Sequence, residues 1–180
     1  MKSFHDLLVA RRSIRRYTDE PLAPEQVQTI LEAALLAPAG KHRNPWQFVV
    51  VEDKAMLGEL AKAKEHGAAP IASAAIAIVV VCDPYTSDTW VEDGSIASIL
   101  IQLAASDLGL ASCWIQMNGR LTADGRQAEE VIRMLLNIPP DQRILSVISI
   151  GHAAEERPPH NLDELQWEKI HIGEWRNDVG

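Results

Sequence analysis

The sequence predicts one domain that mixes helices with strands. Three observations lead there. Apolar residues recur at helical spacing in long stretches, chiefly 24–35 and 90–108. Four shorter apolar runs, 46–51, 74–82, 110–118 and 143–150, have the length and β-branched content of strands. The 180 residues show no repeat, low-complexity segment or linker, so 1–180 suits a single domain with room for a sizeable core.

Taken in order, Ser3 can cap a short helix in which Phe4, Leu7 and Leu8 share one face. It runs into Arg11-Arg12-Ser13-Ile14-Arg15-Arg16-Tyr17, where a loop begins. Thr18-Asp19-Glu20-Pro21 reads as a turn. Pro24 opens the next helix, Glu25 suits its first turn, and Val27, Ile30, Leu31, Ala34 and Leu35 repeat along it. Pro38 and Gly40 end it. A loop over 37–45 then gives way to the strand at 46–51.

Residues 53–65, with Lys54, Glu59, Lys62, Lys64 and Glu65, read as an exposed helix broken by His66-Gly67. Residues 74–82 are almost continuously apolar, which predicts a buried central strand ended by Asp83-Pro84. In the long helix at 90–108, Ile96, Ile99, Leu100, Leu103 and Ala104 form a wide apolar stripe. So few charges interrupt this helix that it needs cover on most sides, from the core, a subunit interface or both. Gly109 closes it.

Residues 110–118 form a strand with a polar end. Residues 124–136 form an amphipathic helix with Val131, Ile132 and Leu135 inward, stopped by Pro139-Pro140. The last strand, 143–150, ends at Gly151-His152. The tail holds Arg157, then Leu162, Leu165, Trp167, Ile170 and Trp175. That is too much apolar bulk for disorder, and the tail is expected to wrap over a neighbour.

Charge narrows the function. The net charge of −8 argues against general nucleic-acid binding, which needs a broad basic surface. Met1-Lys2-Ser3 leads directly into a charged helix without an apolar signal region, and the longest apolar run is too short for a bilayer. A cytoplasmic protein without membrane partners is the expectation. Cys82 and Cys113 make neither a disulfide framework nor a zinc site, and their apolar surroundings predict buried free thiols.

Against this acidic background, four arginines and a serine fall within residues 11–17. Guanidinium groups present a planar fork of donors that matches phosphate, and Ser13 adds a hydroxyl. A pocket for a small phosphorylated ligand is one reading. A solvated basic face at a helix C-terminus is the other. The 37–45 loop offers Lys41, His42, Arg43 and Asn44 beside small residues that permit close approach, though a plain connection would look similar. Dinucleotide, Walker, zinc-protease and nucleophile-elbow motifs are all missing, and the six histidines lack metal-ligand spacing. No metal is expected, and no protein nucleophile; hard chemistry here would belong to a cofactor.

Three blocks together resemble the nitroreductase family of FMN-dependent oxidoreductases. They are Arg-Arg-Ser-Ile-Arg-Arg-Tyr at 11–17, Ala-Pro-Ala-Gly-Lys-His-Arg-Asn-Pro-Trp-Gln-Phe at 37–48, and Gly-Leu-Ala-Ser-Cys-Trp-Ile at 109–115. The resemblance implies an α+β fold with a central, mostly antiparallel sheet flanked by helices. It also implies an intertwined homodimer with FMN at the interface, reduced by NADH or NADPH.

Carried over by position, Arg11, Ser13 and Arg157 hold the FMN phosphate, with Arg12 assisting. Arg15 lies at the N1/O2 edge of the ring. Pro38, Ala39, Gly40, His42 and Asn44 reach the flavin from the partner. Trp114, Ile115 and Gln116 line the ring, Gln116 near N5. In the 37–48 block, Ala39-Gly40, His42 and Asn44 replace the family's serines, asparagine and glutamine. The implied activity passes a hydride from NAD(P)H through FMN to an electron-poor acceptor such as a nitroaromatic or quinone. Alternatives are a flavin-storing or flavin-sensing protein without turnover, and a specialised flavin-cleaving or dehalogenating member.

Overall fold

A computed structural model describes residues 3–175. Met1 and Lys2, which open the stretch expected to lack a signal region, lie outside the described residues. The framework is a four-stranded sheet in the order β1-β2-β4-β3, formed by β1 (Trp46–Val51), β2 (Ile76–Cys82), β3 (Ala111–Gln116) and β4 (Arg143–Gly151). Every pairing between these strands is antiparallel. The two central strands are the most buried ones, and every residue of β2 is buried. A bulge opposite Val80 and Val81 leaves Leu145 as an extra residue on β4.

Six helices complete the framework: α1 (Phe4–Ala10), α2 (Pro24–Leu35), α3 (Lys54–Leu60), α4 (Pro70–Ser73), α5 (Trp90–Asp107) and α6 (Ala128–Leu136). Strand alternation splits the core in two. On one face Val79, Val147, Cys113 and Ile115 pack with Leu57 and Leu60 of α3, Ile71 of α4 and Ile132 of α6. On the other, Ile78, Val80, Ile148 and Ile150 pack with Ala97, Ile101 and Ala105 of α5 and with Ile30 and Ala34 of α2. Ser3 caps α1 by accepting from the Asp6 N–H at 3.1 Å, as expected. Both cysteines are buried free thiols, and burial pushes Cys82 up to about 12. Among the described residues, no helix is long and apolar enough to cross a membrane.

Several boundaries differ from expectation. The helix expected over 53–65 stops at Leu60, because Leu57, Leu60 and Ala63 are wholly buried and irregular turns carry the chain inward from there. The helix expected from 124 begins at Ala128; Thr122 instead closes a turn with its hydroxyl accepting from the Arg126 N–H at 3.0 Å.

The largest difference lies on α5. Its buried face is Gly94, Ala97, Ser98, Ile101, Gln102 and Ala105, not the predicted stripe. Small residues let the helix lie close to the sheet, where the Ser98 and Ser146 hydroxyls meet at 3.0 Å. The bulky Ile96 and Ile99 are left 37 % and 38 % exposed. Phe4 and Leu8 of α1, Leu35, Leu36 and Val91 are exposed as well. So are Leu162, Leu165, Trp167, Ile170 and Trp175 of the tail, which forms two short 3-10 turns.

The close approach of α5 has a direct test. A Cβ on Gly94 would stand 2.8 Å from both Cys82 Sγ and Leu145 Cδ2. Gly94→Ala is therefore expected to destabilise the protein by about 1–3 kcal/mol through overpacking, despite the better helix propensity of alanine. Denaturant unfolding measures this; a gain in stability would contradict the packing described.

Candidate cofactor-binding site

The arginine segment is held to the sheet by its backbone. Ile14 N–H donates to the Ser112 carbonyl at 3.1 Å, and Ser13 and Ser112 form a parallel bridge on the open side of β3. Ile14 and Tyr17 are buried, and they anchor the stretch between them. The Tyr17 hydroxyl donates to the Ile14 carbonyl at 2.8 Å and meets the Ser149 hydroxyl at 2.8 Å. Arg11, Arg12, Arg15 and Arg16 are left to project from a pinned backbone.

The chain end returns along the same segment. Thr18 N–H donates to the His152 carbonyl, Ala154 N–H to the Arg16 carbonyl and His160 N–H to the Val9 carbonyl, each at 2.9 Å. Arg12 Nη1 donates to the Pro158 carbonyl. This antiparallel return places Arg157 beside Arg11 and Arg12. The three guanidinium side chains line one cleft of about 220 Å³, closed below by Ser106 at the end of α5 and by Leu110 and Ala111. Beside that wall, the buried Ser112 hydroxyl has no hydrogen-bond partner among the described residues.

Glu155 tempers the charge. Its Oε1 accepts from the Arg15 N–H at 2.7 Å, and its Oε2 lies 3.8 Å from Arg157 Nη2. Glu155 was not anticipated from the sequence. Neither was Lys64, which the sequence places on an exposed helix. Lys64 is partly buried instead, and its ammonium donates to the Gln116 carbonyl at 3.2 Å. Burial, then the neighbouring charge of Arg120, holds the Lys64 pKa below its usual value. Burial raises the Cys113 thiol, while the positive charges of Arg15, Lys64 and Arg11 pull it down. Arg11, Arg15 and Lys64 thus gather positive charge near Cys113 on β3, offset in part by Glu155.

The predicted ring-lining residues divide by strand parity. Trp114 and Gln116 share a face, and Trp114 Nε1 donates to Gln116 Oε1 at 2.9 Å. Ile115 points the opposite way, 1 % exposed, into the core beside α3 and α6. Its side chain cannot line a ligand on the Trp114 face, so the expectation for Ile115 holds for the backbone at most.

Pro38, Ala39, Gly40, His42 and Asn44 sit elsewhere. Their loop packs on the start of α5, where the Gly40 N–H donates to Asp93 Oδ1 at 2.8 Å. Ser106, in the arginine cleft, is near the other end of that helix, about 20 Å away at 1.5 Å per residue. One chain therefore brings Arg11, Arg12 and Arg157 to one cleft, leaves Ser13 in the bridge to Ser112 outside the cleft lining, and keeps the 38–44 loop far from them.

Comparison with known proteins identifies the family and the fold. The family model described as "Nitroreductase family" matches residues 8–84 and 89–152. A protein of Archaeoglobus fulgidus, provisionally named an NADH dehydrogenase/NAD(P)H nitroreductase, is 36 % identical over 174 residues, covering 94 % of this chain and 97 % of its own. An FMN-dependent nitroreductase from Clostridium difficile R20291 superposes with a TM-score of 0.92 at 40 % identity, covering 94 % of this chain and 98 % of that one. A structure from Bacteroides thetaiotaomicron, also provisionally named an NADH dehydrogenase/NAD(P)H nitroreductase, gives 0.86 at 32 % identity, covering 95 % and 97 %. With a family match over most of the chain and near-complete overlap with these relatives, the protein belongs to the nitroreductase family.

Proposed function

We propose that the protein is an FMN-dependent oxidoreductase that draws on NADH or NADPH and reduces an electron-poor small molecule such as a nitroaromatic or quinone. The observation that carries this is the convergence of Arg11, Arg12 and Arg157 on one cleft. Guanidinium groups gathered from both ends of an acidic chain form a site for a phosphate dianion. On this reading the ring would extend from the cleft along the outer edge of β3, past Arg15 and toward Trp114 and Gln116, which line a separate concavity with Lys64. Bound FMN would supply the capacity to accept a hydride from a nicotinamide and pass electrons onward.

The protein's own part is to bind, orient and tune. Arg11, Ser13 and Arg157 hold the phosphate, with Arg12 assisting from its anchor on Pro158. Arg15 and Lys64 place positive charge along the β3 edge, which favours a ring that becomes anionic on reduction. Gln116, at the far end of that edge, would orient the N5 side of a bound ring. No side chain of the chain serves as nucleophile.

A homodimer completes this reading. The outward apolar side chains of α1, α5 and the tail are the surface that a second copy covers, gaining about 25 cal/mol for each Å² of apolar area removed from water. The same copy brings its Pro38–Asn44 loop to the ring. The dimer is cytoplasmic on this proposal, and 1–180 acts as one domain.

Three outcomes test the proposal. The purified protein is expected to be yellow, to sediment as a dimer and to bleach anaerobically with NADH or NADPH. A yellow protein that neither nicotinamide bleaches would indicate flavin storage or sensing instead. Arg11→Ala is expected to weaken FMN binding by about 1.5–3 kcal/mol, the range for a hydrogen bond to a charged group. An unchanged titration would refute the phosphate assignment. Arg15→Ala should lower the flavin reduction potential, and a redox titration that finds no change removes Arg15 from the ring edge.

A further inference from the structure

We propose that Asp93 is the positioning residue of the 38–44 loop and that it acts on the flavin held by the other copy of the chain. This rests on the FMN dimer reading above and deepens it.

Asp93 lies in the first turn of α5 and is only 3 % exposed. A carboxylate so buried is costly unless its oxygens are occupied. Here they are. Oδ1 accepts the Gly40 N–H at 2.8 Å, while Oδ2 accepts the Ser87 hydroxyl at 2.9 Å and the Thr89 hydroxyl at 3.1 Å. The last two bonds are local and would serve any helix start. The bond to Gly40 is different, because it ties this helix to a loop 53 residues earlier in the chain.

The loop is pressed hard against that anchor. A Cβ on Gly40 would come within 2.7 Å of Thr89 Oγ1, so any side chain here would have to displace the hydroxyl that also bonds Asp93. Directly after it, Lys41, His42 and Asn44 take φ of 53°, 55° and 46°. Left-handed backbone costs a residue with a side chain on the order of 1 kcal/mol each. Three such residues in a row of four would relax unless something held them. Within the stretch the His42 N–H donates to the Ala39 carbonyl and the Arg43 N–H to the Gly40 carbonyl, each at 3.1 Å, and Arg43 pairs with the exposed Asp88 at 3.5 Å, which is a weak restraint on the loop as a whole. Asp93 is the buried restraint.

The loop is thus fixed at one point, while Pro38, His42 and Asn44 stay exposed. A strained, anchored and outward-facing segment is built to present those residues to something outside the chain. The cleft of its own chain lies near the far end of α5, so the flavin it meets is the second copy's.

The test titrates intact dimers with FMN and records thermal unfolding. Asp93→Ala is expected to raise the FMN Kd by about tenfold, the worth of one hydrogen bond to a charged group. Asp93→Asn should restore affinity to near the wild-type value, since its amide oxygen still accepts from Gly40 and its NH2 group can donate to reoriented hydroxyls. Ser98→Ala, which removes a buried hydroxyl farther along α5, should lower Tm without moving the Kd. If Asp93→Ala lowers Tm but leaves the Kd unchanged, the carboxylate is merely structural and the inference is overturned.

Mixed dimers check the crossing. An Arg11→Ala subunit paired with an Asp93→Ala subunit should retain one site of wild-type affinity, because the intact cleft faces the intact loop. Finding that site instead in wild-type subunits paired with the double variant would place loop and cleft in the same chain and overturn it. Wild-type protein that fails to bind FMN would sink the parent reading, whereas wild-type binding with an unaffected Asp93→Ala sinks this inference alone.

Discussion

The structure depends on a repulsion that the backbone overrides. Arg11, Arg12 and Arg157 are drawn to one cleft although like charges at close range cost on the order of 1 kcal/mol per pair near water. What holds them is main-chain pairing between residues 9–18 and 152–160, with the Tyr17 side chain locked beneath. Those bonds use backbone atoms, so they do not consume the guanidinium donors. Arg12 is the exception, spending one donor on Pro158. Glu155 offsets part of the charge but stands at 3.8 Å from Arg157, too far for a strong hydrogen bond. The positive potential is held ready for an anion.

Helix α5 sets the scale on which the site is laid out. Its sheet-facing side is mostly small, with Gly94, Ala97, Ser98 and Ala105 beside Ile101 and Gln102, so the helix lies low and its ends are fixed relative to β3. One end closes the arginine cleft and the other anchors the 38–44 loop. Because the two ends are separated by most of the helix, the residues singled out as one site fall into two groups within a chain. The low position also forces the bulky residues of α5 outward, and the same packing that divides the site leaves Ile96 and Ile99 for another surface to cover.

The sequence made the strands legible because burial on both faces writes itself as an unbroken apolar run, as at Ile76–Cys82. The caps of α1 and α5 and the free cysteines were legible for similarly local reasons, whereas the arginine run alone left a ligand pocket and a solvated face both open, and Arg157 was joined to it only through the family resemblance. The buried face of α5 was not legible, since hydrophobicity ranks Ile96 above Gly94 while close packing prefers the reverse. Lys64, Asp93 and Glu155 escaped because their roles arise from contacts 52, 53 and 140 residues away along the chain. Ile115 could have been placed correctly. Strand alternation puts it with Cys113 and Met117, opposite Trp114 and Gln116, and that parity was present in the sequence.

An isolated subunit would carry three separate burdens: exposed isoleucines and tryptophans, a strained loop directed at solvent, and a cleft of unneutralised cations. On the proposed reading, one assembly relieves all of them. A second copy covers the apolar surface and gives the loop a target, and a phosphate discharges the cleft. Whatever binds only the folded dimer stabilises it by mass action, so cofactor affinity and subunit affinity become coupled quantities. On that proposal the coupling follows from α5, because the helix that would divide each site between two chains is also the helix whose exposed outer face the second chain would cover.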